Sequence, residues 1–258
     1  MYTAPCVVEG YLSQANALYR VNLATGNSTT IYTSTDSNTG DGINSLAYNP
    51  LDNYLYCTIR GTNPETMGRL SFDGRIQRLF TLPTNTTQRR FYVGDITPDG
   101  QYWTASQSNG WQWLKVNFAP GTANYGQIVD SGSTSLPASP FTTNGGGIQD
   151  WAYVPTAGNN LFAPWSDSAG VTYLYYFSLD TYTWAQVGVL SQNTVANAKW
   201  NAVWASNDGF LYGSEGNTGQ IWKFTIRGGL AAQRIVTGPP SSLADGARCY
   251  TNTTAIGA

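Results

Sequence analysis

The sequence predicts an all-β ring of five four-stranded blades, a β-propeller closed by its own C-terminal segment. Three observations carry this. Residues 43–82 hold four short runs of apolar alternation, each of ordinary strand length, with tight turns at Asp52-Asn53 and Asp73-Gly74. The same plan returns at residues 92–130, 148–190 and 200–237. Turns before the second strands fall near residues 52, 99, 158 and 208, so the spacings are 47, 59 and 50. Finally, the N-terminal unit lacks a first strand, and the chain ends with one to spare. Five units of about fifty residues fill the 258-residue chain; a six-bladed ring would need about 43 residues per blade, and no sixth set of strands is present.

Taken in order, the first blade supplies its second, third and fourth strands at residues 7–13, 17–23 and 28–34, with a turn at 24–27. The second blade is the unit at 43–82. The third runs 92–96, 101–107, 111–118 and 126–131, and the fourth 148–154, 160–165, 173–179 and 184–190. The fifth runs 200–205, 210–214, 220–226 and 233–237, leaving 243–249 as the spare first strand. Pairing that strand with residues 7–13 closes the ring and removes both sheet edges. Aromatics recur in second and third strands (Tyr54, Tyr56, Tyr102, Trp103, Phe162, Trp222), where filling the wedge between blades is their expected role.

Cysteine placement points to the same closure. Complete blades join first to second strand by a tight turn, at 50–53, 98–100, 156–159 and 207–209. In the composite blade that turn is cut, with Cys249 ending its first strand and Cys6 beginning its second. A Cys6–Cys249 disulfide is expected there; a Cys6–Cys57 pair or three free thiols are the alternatives. Cys57 lies in an apolar second strand and reads as a buried, unreactive thiol.

Charged residues make up 11% of the chain and the net charge is −2, with no basic cluster beyond Arg89-Arg90. Nucleic-acid binding by phosphate neutralisation is therefore not expected. No apolar run is long enough to span a membrane. Met1 before Tyr2-Thr3-Ala4-Pro5 reads as a mature start with an added initiator. With sequons at Asn27, Asn85 and Asn252, it suggests a secreted, glycosylated protein. The chain contains no His, which excludes Ser-His-Asp and Cys-His nucleophile systems and His-bearing zinc sites. No cofactor is expected. A metal would need oxygen ligands alone, hence Ca²⁺ or Mg²⁺, and no D-x-D-x-D-G loop supports one.

Propeller geometry sends turns between first and second, and third and fourth, strands to one face. The longer segments at 35–42, 83–91, 132–147, 192–199 and 238–242 go to the other, where function is expected. Innermost strands bring Asn44, Ser45, Asp95, Gln149, Asp150, Asn201 and Asp245 to the central channel. Carboxylates in strand interiors need partners. They cap crossover amides, bind a ligand or cation, or catalyse; in that last case Asp95, Asp150 and Glu215 are the candidate acid and base of a glycoside hydrolase or lyase. A second constellation sits around the long-loop face: Gln107, Asn109 and Trp111; Trp165 and Asp167; Lys199 and Trp200; Glu215 and Asn217; Arg60 and Arg89. Indoles beside planar amides suit sugar recognition, stacking on C–H faces and pairing with hydroxyls. Trp111 and Trp200, beginning strands, are equally placed to bury themselves between blades.

The text I-N-S-L-A-Y-N-P-L-D-N-Y-L-Y at 43–56, with A-D-G-A-R-C at 244–249, resembles a propeller-like domain of unassigned function that recurs in secreted and surface proteins of fungi and bacteria. The resemblance spans most of the chain and implies an extracellular ring, but it carries no catalytic residues to transfer. The expected function is a secreted, non-catalytic recognition module for carbohydrate or cell-wall material. The alternatives are the carboxylate enzyme above and a secreted effector or scaffold that binds a host protein.

Overall fold

The computed structural model describes residues 2–14, 17–33, 42–59, 64–83, 91–107, 110–136, 147–240 and 242–256. They form five antiparallel four-stranded sheets, the blades of a β-propeller. The first blade joins both ends of the chain: β20 (Ala244–Ala247) is innermost, then β1 (Gly10–Gln14), β2 (Ala17–Val21) and β3 (Ser28–Thr33). The second is β4 (Ile43–Asn49) to β7 (Ile76–Thr81), by way of β5 (Tyr54–Ile59) and β6 (Thr66–Leu70). The third holds β8 (Val93–Ile96), β9 (Gln101–Gln107), β10 (Trp111–Asn117) and β11 (Gln127–Thr134). The fourth holds β12 (Ala152–Tyr153), β13 (Asn160–Ser166), β14 (Thr172–Ser178) and β15 (Trp184–Ser191). The fifth holds β16 (Trp200–Ala205), β17 (Phe210–Glu215), β18 (Gln220–Thr225) and β19 (Ala231–Thr237).

Side-chain alternation explains the ring. Each blade is buried on both faces, so successive residues of one strand enter different wedges. In β4, Leu46 and Tyr48 pack against the first blade while Ala47 packs against the third. In β9, Tyr102 faces the second blade and Trp103 the fourth. The described core accordingly divides into five clusters, each shared by two neighbouring blades. Innermost strands such as β4 and β16 are buried throughout, whereas outermost strands such as β3 and β11 are largely exposed.

Closure occurs where the sequence places it. β20 pairs with β1 in register Leu12↔Gly246, and Cys6 and Cys249 are disulfide-bonded with their Cα atoms 5.2 Å apart. Trp204 of the fifth blade donates its indole N–H to the Tyr11 carbonyl at 2.8 Å, pinning the same seam. Cys57 is free and buried, and burial pushes its thiol pKa up.

Three boundaries differ from expectation by three residues or more. The strand expected at 148–154 shrinks to Ala152–Tyr153 because nearby amides bond to carboxylates instead of a neighbouring strand. The strand expected from residue 7 starts at Gly10. Residues 132–134, expected in a loop, extend β11. Of the expected long segments, 35–41, 84–90 and 137–146 lie outside the described residues, as do Arg60, Asn85, Arg89 and Asn109.

At the axis the innermost strands meet almost backbone to backbone. A Cβ on Gly94 would lie 2.3 Å from the Ser45 carbonyl oxygen, and one on Gly246 would lie 2.7 Å from that of Val203. Only glycine permits this approach, so the described axis is packed below its mouth.

Candidate functional site

Five polar residues lie on or beside the innermost strands, one per blade: Asn44, Asp95, Asp150, Asn201 and Asp245. All are buried. A local pattern recurs in three of them. The side-chain oxygen of residue i accepts the N–H of residue i+1, from Ser45 to Asn44 at 2.9 Å, Ile96 to Asp95 at 2.8 Å and Trp151 to Asp150 at 2.8 Å. The second oxygen of each aspartate reaches across a blade boundary. Asp95 accepts from Tyr153 N–H at 2.6 Å; Asp150 accepts from Val203 N–H at 2.6 Å and Gly246 N–H at 3.3 Å. These carboxylates staple innermost strands to one another.

Burial dominates their electrostatics. It pushes Asp95 up to about 7 against the downward pull of its two amide donors. Asp150 is raised well above the usual carboxylate range, by burial first and then by the neighbouring charge of Asp245. Glu215, expected on a loop of the long-loop face, is instead the buried last residue of β17. It accepts from Thr218 N–H at 2.8 Å, Thr218 Oγ1 at 2.7 Å, and the N–H groups of Asn217 and Lys199 at 3.3 Å each. It shapes the 216–219 turn and anchors the crossover before β16. Among the described residues, no group of three His, Cys, Asp or Glu side chains is placed to hold a metal ion.

The tryptophan expectation needs correction. Trp111, Trp165 and Trp200 are at most 2% exposed and belong to the wedge clusters, so they offer no face to a sugar. The reason is the strand alternation above: a large ring on a doubly buried strand, whether at its start (Trp111, Trp200) or near its end (Trp165), lowers its free energy most inside the wedge. All nine tryptophans fall in described residues; eight are buried and Trp184 is half-buried. Asp167 is spent on its own turn, accepting from Ala169 and Val171 N–H at 2.9 Å.

What opens onto the long-loop face is a pit of about 170 Å³ at the mouth of the axis. Every blade contributes to its wall: Asn44, Tyr92, Gln149 and Asn201 from the second to fifth blades, and 242–244 from the first. Asn44 spends its oxygen on Ser45, leaving its NH₂. Gln149 spends an N–H on the Gly147 carbonyl at 2.9 Å, leaving its oxygen. Tyr92, which sequence reasoning treated only as a strand start, donates its hydroxyl to Gln107 Oε1 at 3.4 Å. That places exposed Gln107 beside the pit. Asp95, Asp150 and Asp245 are not part of the wall. Tyr92 and the 242–244 segment were findable from their position, just ahead of an axial aspartate. A larger cleft of about 300 Å³ lies on the opposite face, between Val8, the turn at 22–25 and the tail at 254–256; it is built from one blade and brings no polar groups together from others.

The sequons divide similarly. Asn27 is exposed in the turn before β3, and the Asn252 side-chain amide donates to the Cys6 carbonyl at 3.0 Å.

Comparison with solved structures shows the same kind of fold. A streptogramin B lyase aligns over 91% of this chain and 68% of its own, with 18% identity and a TM-score of 0.50. A putative gluconolactonase aligns over 91% and 80%, with 12% identity and a TM-score of 0.51. No curated protein matches the chain. A family model described as a repeat of unknown function, DUF6923, matches residues 9–251, and with the five-bladed architecture this places the chain in that family.

Proposed function

We propose that this chain is a secreted, non-catalytic recognition module that binds a neutral, hydroxyl-rich ligand of carbohydrate or cell-wall origin at the axial pit. The supporting observation is the composition of the wall: side-chain amides from three blades converge on one small concavity. A planar amide carries both donor and acceptor, as a hydroxyl does, and keeps them at every pH. The carboxylate-enzyme alternative needs an acid free to meet substrate, whereas Asp95, Asp150 and Glu215 are occupied by backbone amides. The terminus-to-terminus disulfide fits an oxidising, extracellular setting.

The test is a glycan array with polysaccharide pull-downs across neutral, acidic and chitinous glycans. Retention of at least one neutral glycan is expected, weakened about tenfold by Gln149→Ala. Silence across the whole panel, or binding only to a protein partner, overturns the reading.

A further inference from the structure

We infer that the pit takes a single neutral sugar ring end-on, so that the protein reads chain termini and not the interior of a polysaccharide. This rests on the reading above and deepens it. The inference starts from shape. A site for the interior of a polymer must be a groove with two exits, because the chain enters on one side and leaves on the other. Here the wall is supplied by all five blades in turn, with Asn44, Tyr92, Gln149, Asn201 and Ala244 surrounding the axis.

The floor is closed as well. Below the pit, the second and third blades meet at Gly94 and Ser45, and the first and fifth at Gly246 and Val203, too closely for a side chain to intervene. Asp150 bridges the fourth, fifth and first blades beneath the mouth. A ligand therefore enters and leaves by one opening.

Size sets how much of it enters. At about 170 Å³ the pit has roughly the room of six water molecules. That matches one six-membered sugar ring and falls short of two. Drug-sized sites usually run from about 300 Å³ upward. The wall is mostly polar, with little apolar surface for C–H faces, and the amides of Asn44 and Gln149 provide partners for hydroxyls. No tryptophan is exposed anywhere on the molecule to carry a second or third sugar along the surface. One ring held mainly by hydrogen bonds implies weak binding per end, in the millimolar range.

The experiment is titration calorimetry with ligand-observed NMR on the intact chain. The probes are methyl glycosides of neutral hexoses and N-acetylhexosamines, linear oligomers of the same sugars, and a cyclic glucan that has no ends. At least one methyl glycoside is expected to bind, with its linear oligomers matching it to within about twofold per chain end and the cyclic glucan inert. Gln149→Ala should weaken that binding about tenfold, and Leu51→Ala, on the opposite face, should leave it unchanged. Affinity that climbs about tenfold or more with oligomer length, or binding of the cyclic glucan, overturns the end-on inference while leaving carbohydrate recognition intact. Absence of binding by every probe overturns both.

Discussion

A buried carboxylate survives only where donors reach it, and Asp150 meets three: its oxygens accept from Trp151, Val203 and Gly246, residues of three different blades. Asp150→Ala strands those amides and should cost about 2–4 kcal/mol, read as a lower urea midpoint. A free functional acid at this position would instead be removed at little cost to stability. Gly94 sets the complementary limit. A methyl group there meets the Ser45 backbone and not a yielding side-chain end. Gly94→Ala should therefore destabilise by about 3 kcal/mol or more, with thermal unfolding as the check. Residue identity announced that these positions were special, since Asp in a strand needs a reason. It did not announce which reason, because the partners of Asp95 and Asp150 lie 58 and 53 residues away in the chain.

Among elements, β20 is a four-residue strand held by its ladder to β1, by the Asp150 carboxylate at Gly246 and by the disulfide just beyond its end. Cys6→Ser with Cys249→Ser should lower unfolding free energy by roughly 3–5 kcal/mol, because the link closes a loop spanning nearly the whole chain. Amides of β1 and β20 should then exchange with solvent ahead of those in the second to fifth blades; uniform loss of protection would contradict a local latch. Most strands were legible to within two residues, since alternation and turn chemistry are local properties. β12 was not, because two of the amides around it are claimed by Asp95 and Asp150, one of them from another blade. Trp111 and Trp200 illustrate a related limit: a ring at a strand end points into the wedge or out of it depending on a register that neighbouring blades set.

For the whole ring, the axial acids make stability depend on pH with a definite sign. Asp95 ionises near 4 in an unfolded chain and at about 7 in the folded one, and Asp150 is shifted in the same direction. The folded state thus holds protons that the unfolded state has released. The stabilisation is complete below about pH 4 and is lost as pH rises through about 7, amounting to roughly 4 kcal/mol for Asp95 alone. Urea midpoints should fall between pH 4 and pH 8, and Asp95→Asn should flatten that fall; a midpoint that rises over this range would refute the assignment. Strand periodicity, the count of five blades and the pairing of Cys6 with Cys249 were all readable from residue order, because each follows from short-range pattern or from the arithmetic of one missing strand. The pit was not. It arises where residues from five separate blades converge on one axis, and which of their polar groups still face solvent depends on backbone amides contributed by other blades.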